Sequence, residues 1–110
     1  MELEAEDAKL VTLAKASRAR IGSVAGAAVR DQDGRTYTAA AVDRGSLNIA
    51  ALDLAVAMAV SSGATLLEAA AVTCEVDYAL DLQAVRDVSG TGVPVYLASP
   101  AGVVREVVVS

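Results

Sequence analysis

The sequence predicts a three-layer α/β fold in which helices flank a five-stranded mixed sheet, with elements in the order α-β-β-α-β-α-β-β. An amphipathic helical pattern covers residues 2–21, with acidic side chains at its start and basic ones at its end. Short apolar segments separated by turn residues follow and are typical of strands. Two further helical segments stand between strands, which favours helices on both faces of the sheet. Because no linker or repeat interrupts the pattern, we expect one domain over 1–110.

The first two strands are predicted over 23–30 and 36–42, with a hairpin turn between them. The connection at 31–34 reads Asp-Gln-Asp-Gly, and its glycine accepts the positive φ that a tight turn requires. The two aspartates also resemble the start of a calcium-binding loop. The twelfth position of such a loop would be Val42, where calcium requires a bidentate glutamate. The pattern therefore favours a turn.

A second helix is predicted from Leu47 to about Val60, with Ser46 as its N-cap. Its only strongly polar members are Asn48 and Asp53. A helix that is apolar on nearly every side is buried on most of its faces, either in the centre of a monomer or against other subunits.

The rest of the chain is predicted to alternate strands with one shorter helix. Pro and Gly stand in residues 99–102 where a type I turn prefers them, so the last strand is expected to return antiparallel. The predicted elements are a strand over 68–74, a helix from Asp77 through Val88, and strands over 93–98 and 103–109.

Charge and composition exclude several classes of partner. The net charge is −5, from 14 acidic and nine basic residues, and only three residues are aromatic. Nucleic acid is not expected as a partner, because phosphate tracking needs clustered cations and base stacking needs aromatic rings. A membrane is not expected either, since no apolar run approaches the ~18–20 residues of a span. The acidic N-terminal segment is unlike a secretory signal, and Cys74 has no cysteine partner, so we expect a cytoplasmic protein.

The apolar residues are unusually small. The chain has 24 alanines and 17 valines but no Phe or Trp. Small side chains let helices and strands approach closely, but each buries little apolar area. We therefore expect a homo-oligomer, a dimer or a tetramer.

The chain has seven arginines and two lysines, which together with the excess of Ala and Val is typical of a GC-rich bacterial genome.

The side chains available for chemistry are few. Without histidine the chain lacks the commonest general base, the commonest metal ligand and the usual partner of a nucleophilic Ser or Cys. Cys74 alone cannot make a cysteine-rich zinc site, so no metal and no cofactor are expected. The candidate polar ligands are Asp43 and Asp53. Asp53 is the more unusual, since a charge within an apolar helix is costly unless it is paired or reaches solvent. A structural role is the favoured interpretation of both: an ion pair or a solvent-facing position for Asp53, and a cap of the turn into the second helix for Asp43.

Several stretches, in their order and spacing, resemble the small homotetrameric cytidine deaminases over nearly the whole chain. The resemblance implies the fold of that family and, for the family's active members, zinc-dependent deamination. The matching stretches are Gly26-Ala27-Ala28-Val29, Asp33-Gly34-Arg35, Ala41-Val42-Asp43-Arg44-Gly45-Ser46 and Pro94-Val95-Tyr96-Leu97-Ala98-Ser99-Pro100-Ala101-Gly102.

The resemblance also implies that the zinc site is degenerate. In the family, a Cys-Ala-Glu or His-Ala-Glu run opens the second helix, and a Pro-Cys-x-x-Cys run at the third helix supplies the other two ligands. Here Ala50 matches the first ligand and Leu52 the proton-shuttling glutamate, while Ala79 and Leu82 match the two thiolates. No catalytic residue is therefore assigned.

A nucleoside contact is retained only in part. The family binds the ribose hydroxyls with Asn-x-Glu, and the matching positions here are Ala41 and Asp43.

The sequence as a whole favours a catalytically inactive, oligomeric family member with an interaction or scaffolding role. The alternatives are a sensor that binds a nucleoside or another small polar ligand through Asp43, and a residual deaminase-type hydrolase that uses Asp53 or Asp43 as its base.

Overall fold

A computed structural model describes residues 2–110 and confirms the predicted α/β fold with a five-stranded mixed sheet. The sheet has the strand order β2-β1-β5-β6-β7, and β3 and β4 form a separate hairpin. Helices flank both faces of the sheet. The elements are α1 Ala5–Ile21, β1 Ala25–Asp31, β2 Thr36–Ala40, β3 Val42–Arg44, β4 Leu47–Ile49, α2 Ala51–Ser61, β5 Leu67–Cys74, α3 Gln83–Ser89, β6 Pro94–Ala98 and β7 Val104–Val109.

The sheet is antiparallel except at one pairing. β1 pairs antiparallel with β2 and β5, and β6 pairs antiparallel with β7. β5 and β6 run parallel, as a crossover through α3 requires. The Ser99 carbonyl accepts the N–H of Gly102 at 2.8 Å, so the predicted turn at 99–102 and the antiparallel return are both confirmed. Within 2–110, no helix is both long and apolar enough to cross a bilayer.

Helix α1 lies very close to the sheet because the residues between them are small. Leu10 and Ala14 of α1 and Ala28 and Ala71 of the sheet are fully buried in one cluster. A Cβ atom built on Gly26 would lie 2.1 Å from the carbonyl oxygen of Ala14. The absent side chain of Gly26 is therefore what lets the helix reach this depth.

Polar contacts hold the N-terminal part of α1 against the sheet. Arg30 of β1 lies 3.0 Å from Asp7 and 2.9 Å from Glu68. The hydroxyl of Tyr96 donates to the same Asp7 carboxylate at 2.6 Å. This hydrogen bond, with burial, raises the pKa of Tyr96 to about 12. Asp7 therefore joins α1 to two separate strands.

The predicted start of the second helix is wrong. Leu47–Ile49 is a strand that pairs with Val42–Arg44, and α2 begins only at Ala51. Gly45, with φ of +67°, makes the hairpin turn together with Ser46, so Ser46 is a turn residue and not a cap. Glycine in a two-residue connection between short strands is itself a hairpin signal. The sequence pattern did not separate Leu47–Ile49 from α2, because no turn residue stands between them.

The predicted start of the third helix is also wrong. Residues 77–82 are irregular, and α3 spans only Gln83–Ser89. The Asp81 carboxylate accepts the N–H of Gln83, the first residue of α3, at 2.9 Å. A short polar side chain before a helix competes with the backbone in this way.

We predict that Gly26→Ala destabilises the protein. The added methyl group would meet backbone atoms, Ala14 O at 2.1 Å and Arg18 N at 2.8 Å, which cannot rotate away. Overpacking of this kind costs about 1–3 kcal/mol, which corresponds to a fall in Tm of about 4–12 °C for a domain of this size. Thermal unfolding followed by circular dichroism measures it. An unchanged Tm would mean that α1 does not approach β1 this closely.

Candidate functional site

The positions that the resemblance predicts to match the family's zinc site lie in the segments before and after β5. Ala50 and Leu52 lie at the start of α2, and Ala79 and Leu82 lie in the connection between β5 and α3. α2 and α3 contact each other. Open α/β sheets usually bind their ligands beyond the carboxyl ends of parallel strands, and the connection that carries Ala79 and Leu82 leaves β5 at that end.

These four positions offer only hydrocarbon. Leu52 is 2 % exposed and belongs to the main apolar core, and Leu82 packs against that core. Tyr78 and Leu80 pack against it from the same connection. Protein ligands of zinc are thiolates, imidazoles and carboxylates, so these residues do not fit the metal. Across residues 2–110, no three or more His, Cys, Asp or Glu side chains are grouped so that they could hold a metal ion.

The one thiol near this region is held by an arginine. Cys74 ends β5 and is buried, and the guanidinium of Arg105 donates to its carbonyl oxygen at 3.0 Å and lies 3.8 Å from its Sγ. Burial raises the pKa of the Cys74 thiol, although Arg105 acts in the opposite direction. A buried, protonated thiol is a packing group and a poor nucleophile.

Asp53 lies in the first turn of α2 and is half-buried. Burial, and then the nearby carboxylate of Asp81, raise the pKa of Asp53 above its ordinary value. Among residues 2–110 the ion pairs involve other carboxylates, so the pairing that we expected for Asp53 is not formed. Asp53 is therefore a partly desolvated acid beside a second acid.

Asp43 lies elsewhere, on β3 opposite Asn48. It is exposed and lines an open groove of about 570 Å³ between the β3–β4 hairpin and the corner that joins α1 to β1. Ala41 lines the same groove, and its carbonyl accepts the hydroxyl of Ser23 at 2.9 Å. Asp53 does not line this groove, so the structure does not bring the two candidate aspartates into one site.

Asp31, whose carboxylate accepts three hydrogen bonds, belongs neither to the positions that match the zinc site nor to the groove at Asp43. Asp31 is fully buried and accepts hydrogen bonds from the Tyr37 hydroxyl at 2.9 Å and from the N–H groups of Asp33 and Arg35 at 2.9 and 3.0 Å. Burial acts to raise the pKa of Asp31, but these hydrogen bonds outweigh it and the pKa is lowered. The contacts confirm the turn interpretation of 31–34.

Sequence reasoning missed Arg105, because no local pattern links it to the end of β5.

Comparison with known families identifies the fold. A family model described as cytidine deaminase-like matches residues 3–102. The chain belongs to the cytidine deaminase-like family.

Solved cytidine deaminases share this fold. The enzyme from Burkholderia pseudomallei is 24 % identical with a TM-score of 0.77, and the match covers 91 % of this chain and 89 % of that one. The Mycobacterium leprae enzyme is 20 % identical with a TM-score of 0.68, covering 92 % and 90 %. A mutant cytidine deaminase from Mycobacterium tuberculosis is 22 % identical with a TM-score of 0.69, covering 86 % and 85 %. The search of curated proteins returned no match.

We predict that Asp53→Asn stabilises this cytidine deaminase-like protein at neutral pH. A carboxyl whose pKa is raised on folding destabilises the folded state when it is charged, and the penalty disappears as the pH falls below its ordinary value of 3.8. The helix N-terminus favours a negative charge and offsets part of the gain. We expect a net gain of about 0.5 kcal/mol, or about 2–4 °C in Tm.

The matched control is Asp77→Asn, an exposed acid in the same connection as Asp81. It should change the Tm little, as most surface substitutions do. Equal Tm values for Asp53→Asn and the parent at pH 7, or a gain that persists at pH 3, would contradict the raised pKa that burial and Asp81 give Asp53.

Proposed function

We propose that this protein is a catalytically inactive, zinc-free member of the cytidine deaminase-like family that acts as a homo-oligomeric interaction or scaffolding protein. The supporting observation is the apolar packing of Leu52 and Leu82 at the positions that match a proton shuttle and a zinc ligand. A metal-bound water has a pKa near 7, whereas free water has one near 15.7, and the residues present here cannot supply that difference.

Neither candidate aspartate replaces the missing groups. Asp53 is next to Asp81, but a pair of acids without a further ligand does not make a hydrolytic metal site. Asp43 is exposed on a hairpin and belongs to a separate groove. A residual hydrolase is therefore the least supported of the three hypotheses.

The outer face of α2 supports self-association. Met58 is 40 % exposed and Val60 is 48 % exposed, and Ala57 is exposed beside them. Asp53 is the only charged residue of this helix. A solvent-facing helix surface normally carries charged side chains, so an apolar one favours a protein partner.

We propose a cytoplasmic location, because the single cysteine is buried and reduced.

The test of inactivity combines metal analysis with an assay. We expect the purified protein to contain substoichiometric zinc and to release no ammonia from cytidine above background. We expect the triple variant Ala50→Cys, Ala79→Cys, Leu82→Cys to hold about one zinc per chain, since three thiolates and a water complete a tetrahedral site. The matched control carries serine at the same positions and should hold none. Zinc near one equivalent in the parent protein, with cytidine turnover, would overturn the proposal.

The groove at Asp43 supports nucleoside binding as a second candidate function. It is lined by Ala41 and Asp43, which match the family's ribose-binding positions, and its volume of about 570 Å³ is large enough for a nucleoside. A nucleoside present at about 100 times its Kd would stabilise the protein by about 2.7 kcal/mol. Thermal shift with cytidine and uridine measures this. The shift should be lost in Asp43→Ala and kept in Asp77→Ala, and an absent shift or one retained in Asp43→Ala would exclude this candidate.

A further inference from the structure

Strand β7 is the last strand of the sheet and has one open edge. It spans Val104–Val109 and pairs with β6 on one side only. The unpaired N–H and C=O groups of such an edge are a template for another strand. Charged residues occur only in its first half, at Arg105 and Glu106, and the second half is three consecutive valines.

The register identifies which backbone groups face outward. Val109 lies opposite Pro94, which has no N–H, so these two residues form a pair without backbone hydrogen bonds. The N–H of Ser110, the next residue, donates to the carbonyl of Val93 at 3.0 Å, as the alternation requires. The N–H and C=O groups of Val107 and Val109 therefore point away from β6.

The side chains of these two valines are also uncovered. Val107 lies opposite Tyr96, on the face of the sheet that carries α1. Helix α1 packs chiefly on β1, β2 and β5 and reaches β6 at Tyr96 and Ala98, but Val107 and Val109 remain exposed beyond it. Val107 is 36 % exposed and Val109 is 57 % exposed. The open edge thus combines free backbone groups with an apolar surface.

We propose that β7 pairs antiparallel with β7 of a second copy of this chain, about a two-fold axis at Val108, so that the two sheets become one. The proposal rests on the proposed homo-oligomer and names one of its interfaces. Val107 of each copy lies opposite Val109 of the other, and the two residues exchange both backbone hydrogen bonds. Glu106 lies opposite Ser110 at each end.

Other registers are less favourable. A two-fold axis at Glu106 sets two carboxylates opposite each other, and like charges in that position are destabilising. An axis at Val107 sets Val107 opposite its own copy, but it sets Glu106 opposite Val108 and Arg105 opposite Val109, so it forms one valine pair where the axis at Val108 forms three. Pairing of β7 with the other sheet edge, β2, would be heterologous and would extend into filaments unless it closed as a ring. Only the axis at Val108 sets both outward valines, Val107 and Val109, opposite valines, with their backbone groups placed to form hydrogen bonds.

The test introduces charge on the outward valines of the full chain. We expect Val107→Lys with Val109→Lys to halve the molar mass of the assembly in light scattering and sedimentation. Val107→Pro should do the same, because it removes an N–H that the β6 ladder does not use, and proline is tolerated on edge strands. Val103→Lys is the matched control. Val103 is a 64 % exposed valine just outside the strand, and its variant should keep the parent mass.

Amide exchange provides a second measurement that a folding defect would not reproduce. In the assembled protein the amides of Val107 and Val109 should be protected, and protection should fall on dilution to monomer while the amide of Val108, which faces β6, stays protected. An assembly whose mass survives all β7 variants, with fast exchange at Val107 and Val109, would overturn this interface and leave the homo-oligomer standing. A parent protein that remains an 11.1 kDa monomer at all concentrations would remove both.

Discussion

The burial of Leu52 at the start of α2 is the packing constraint on which the proposed inactivity depends. Its side chain is part of the main core, and Tyr78, Leu80 and Leu82 pack against that core from the connection into α3. Replacing a buried cluster of ionic groups by apolar side chains is often neutral or stabilising, because no desolvation cost remains. Apolar packing at these positions is the basis of the proposal that this family member is inactive.

Small side chains explain both the close packing and the apolar surface that remains. The sheet carries alanines under α1, and Gly26 lets the helix backbone approach to a depth that a methyl group would block. Alanine buries little area, so a core of this kind gains less from burial than one built on Leu and Phe. Apolar area on the outer face of α2 and on the open edge of β7 is then available to stabilise the protein through association.

Much of the fold follows from the sequence, because periodicity and turn residues act locally. The order of the main helices and strands along the chain and the turns at 31–34 and 99–102 are of this kind. The β3–β4 hairpin was missed because Leu47–Ile49 is as apolar as the helix that follows it. The positions of the degenerate site came from a resemblance to a family. Three features depend on contacts between residues far apart in the sequence, which no local pattern encodes. They are the proximity of Asp53 to Asp81, the contact of Arg105 with Cys74 and the outward direction of Val107.

The most direct measurement of the central claim is anomalous diffraction at the zinc absorption edge, from crystals of the parent protein grown with added zinc. The account predicts no anomalous peak between the start of α2 and the connection that precedes α3. It also predicts that the electron density shows the side chains of Leu52 and Leu82 packed against other apolar side chains. A zinc peak at that place, coordinated by any side chain or backbone group of those two segments, would contradict it.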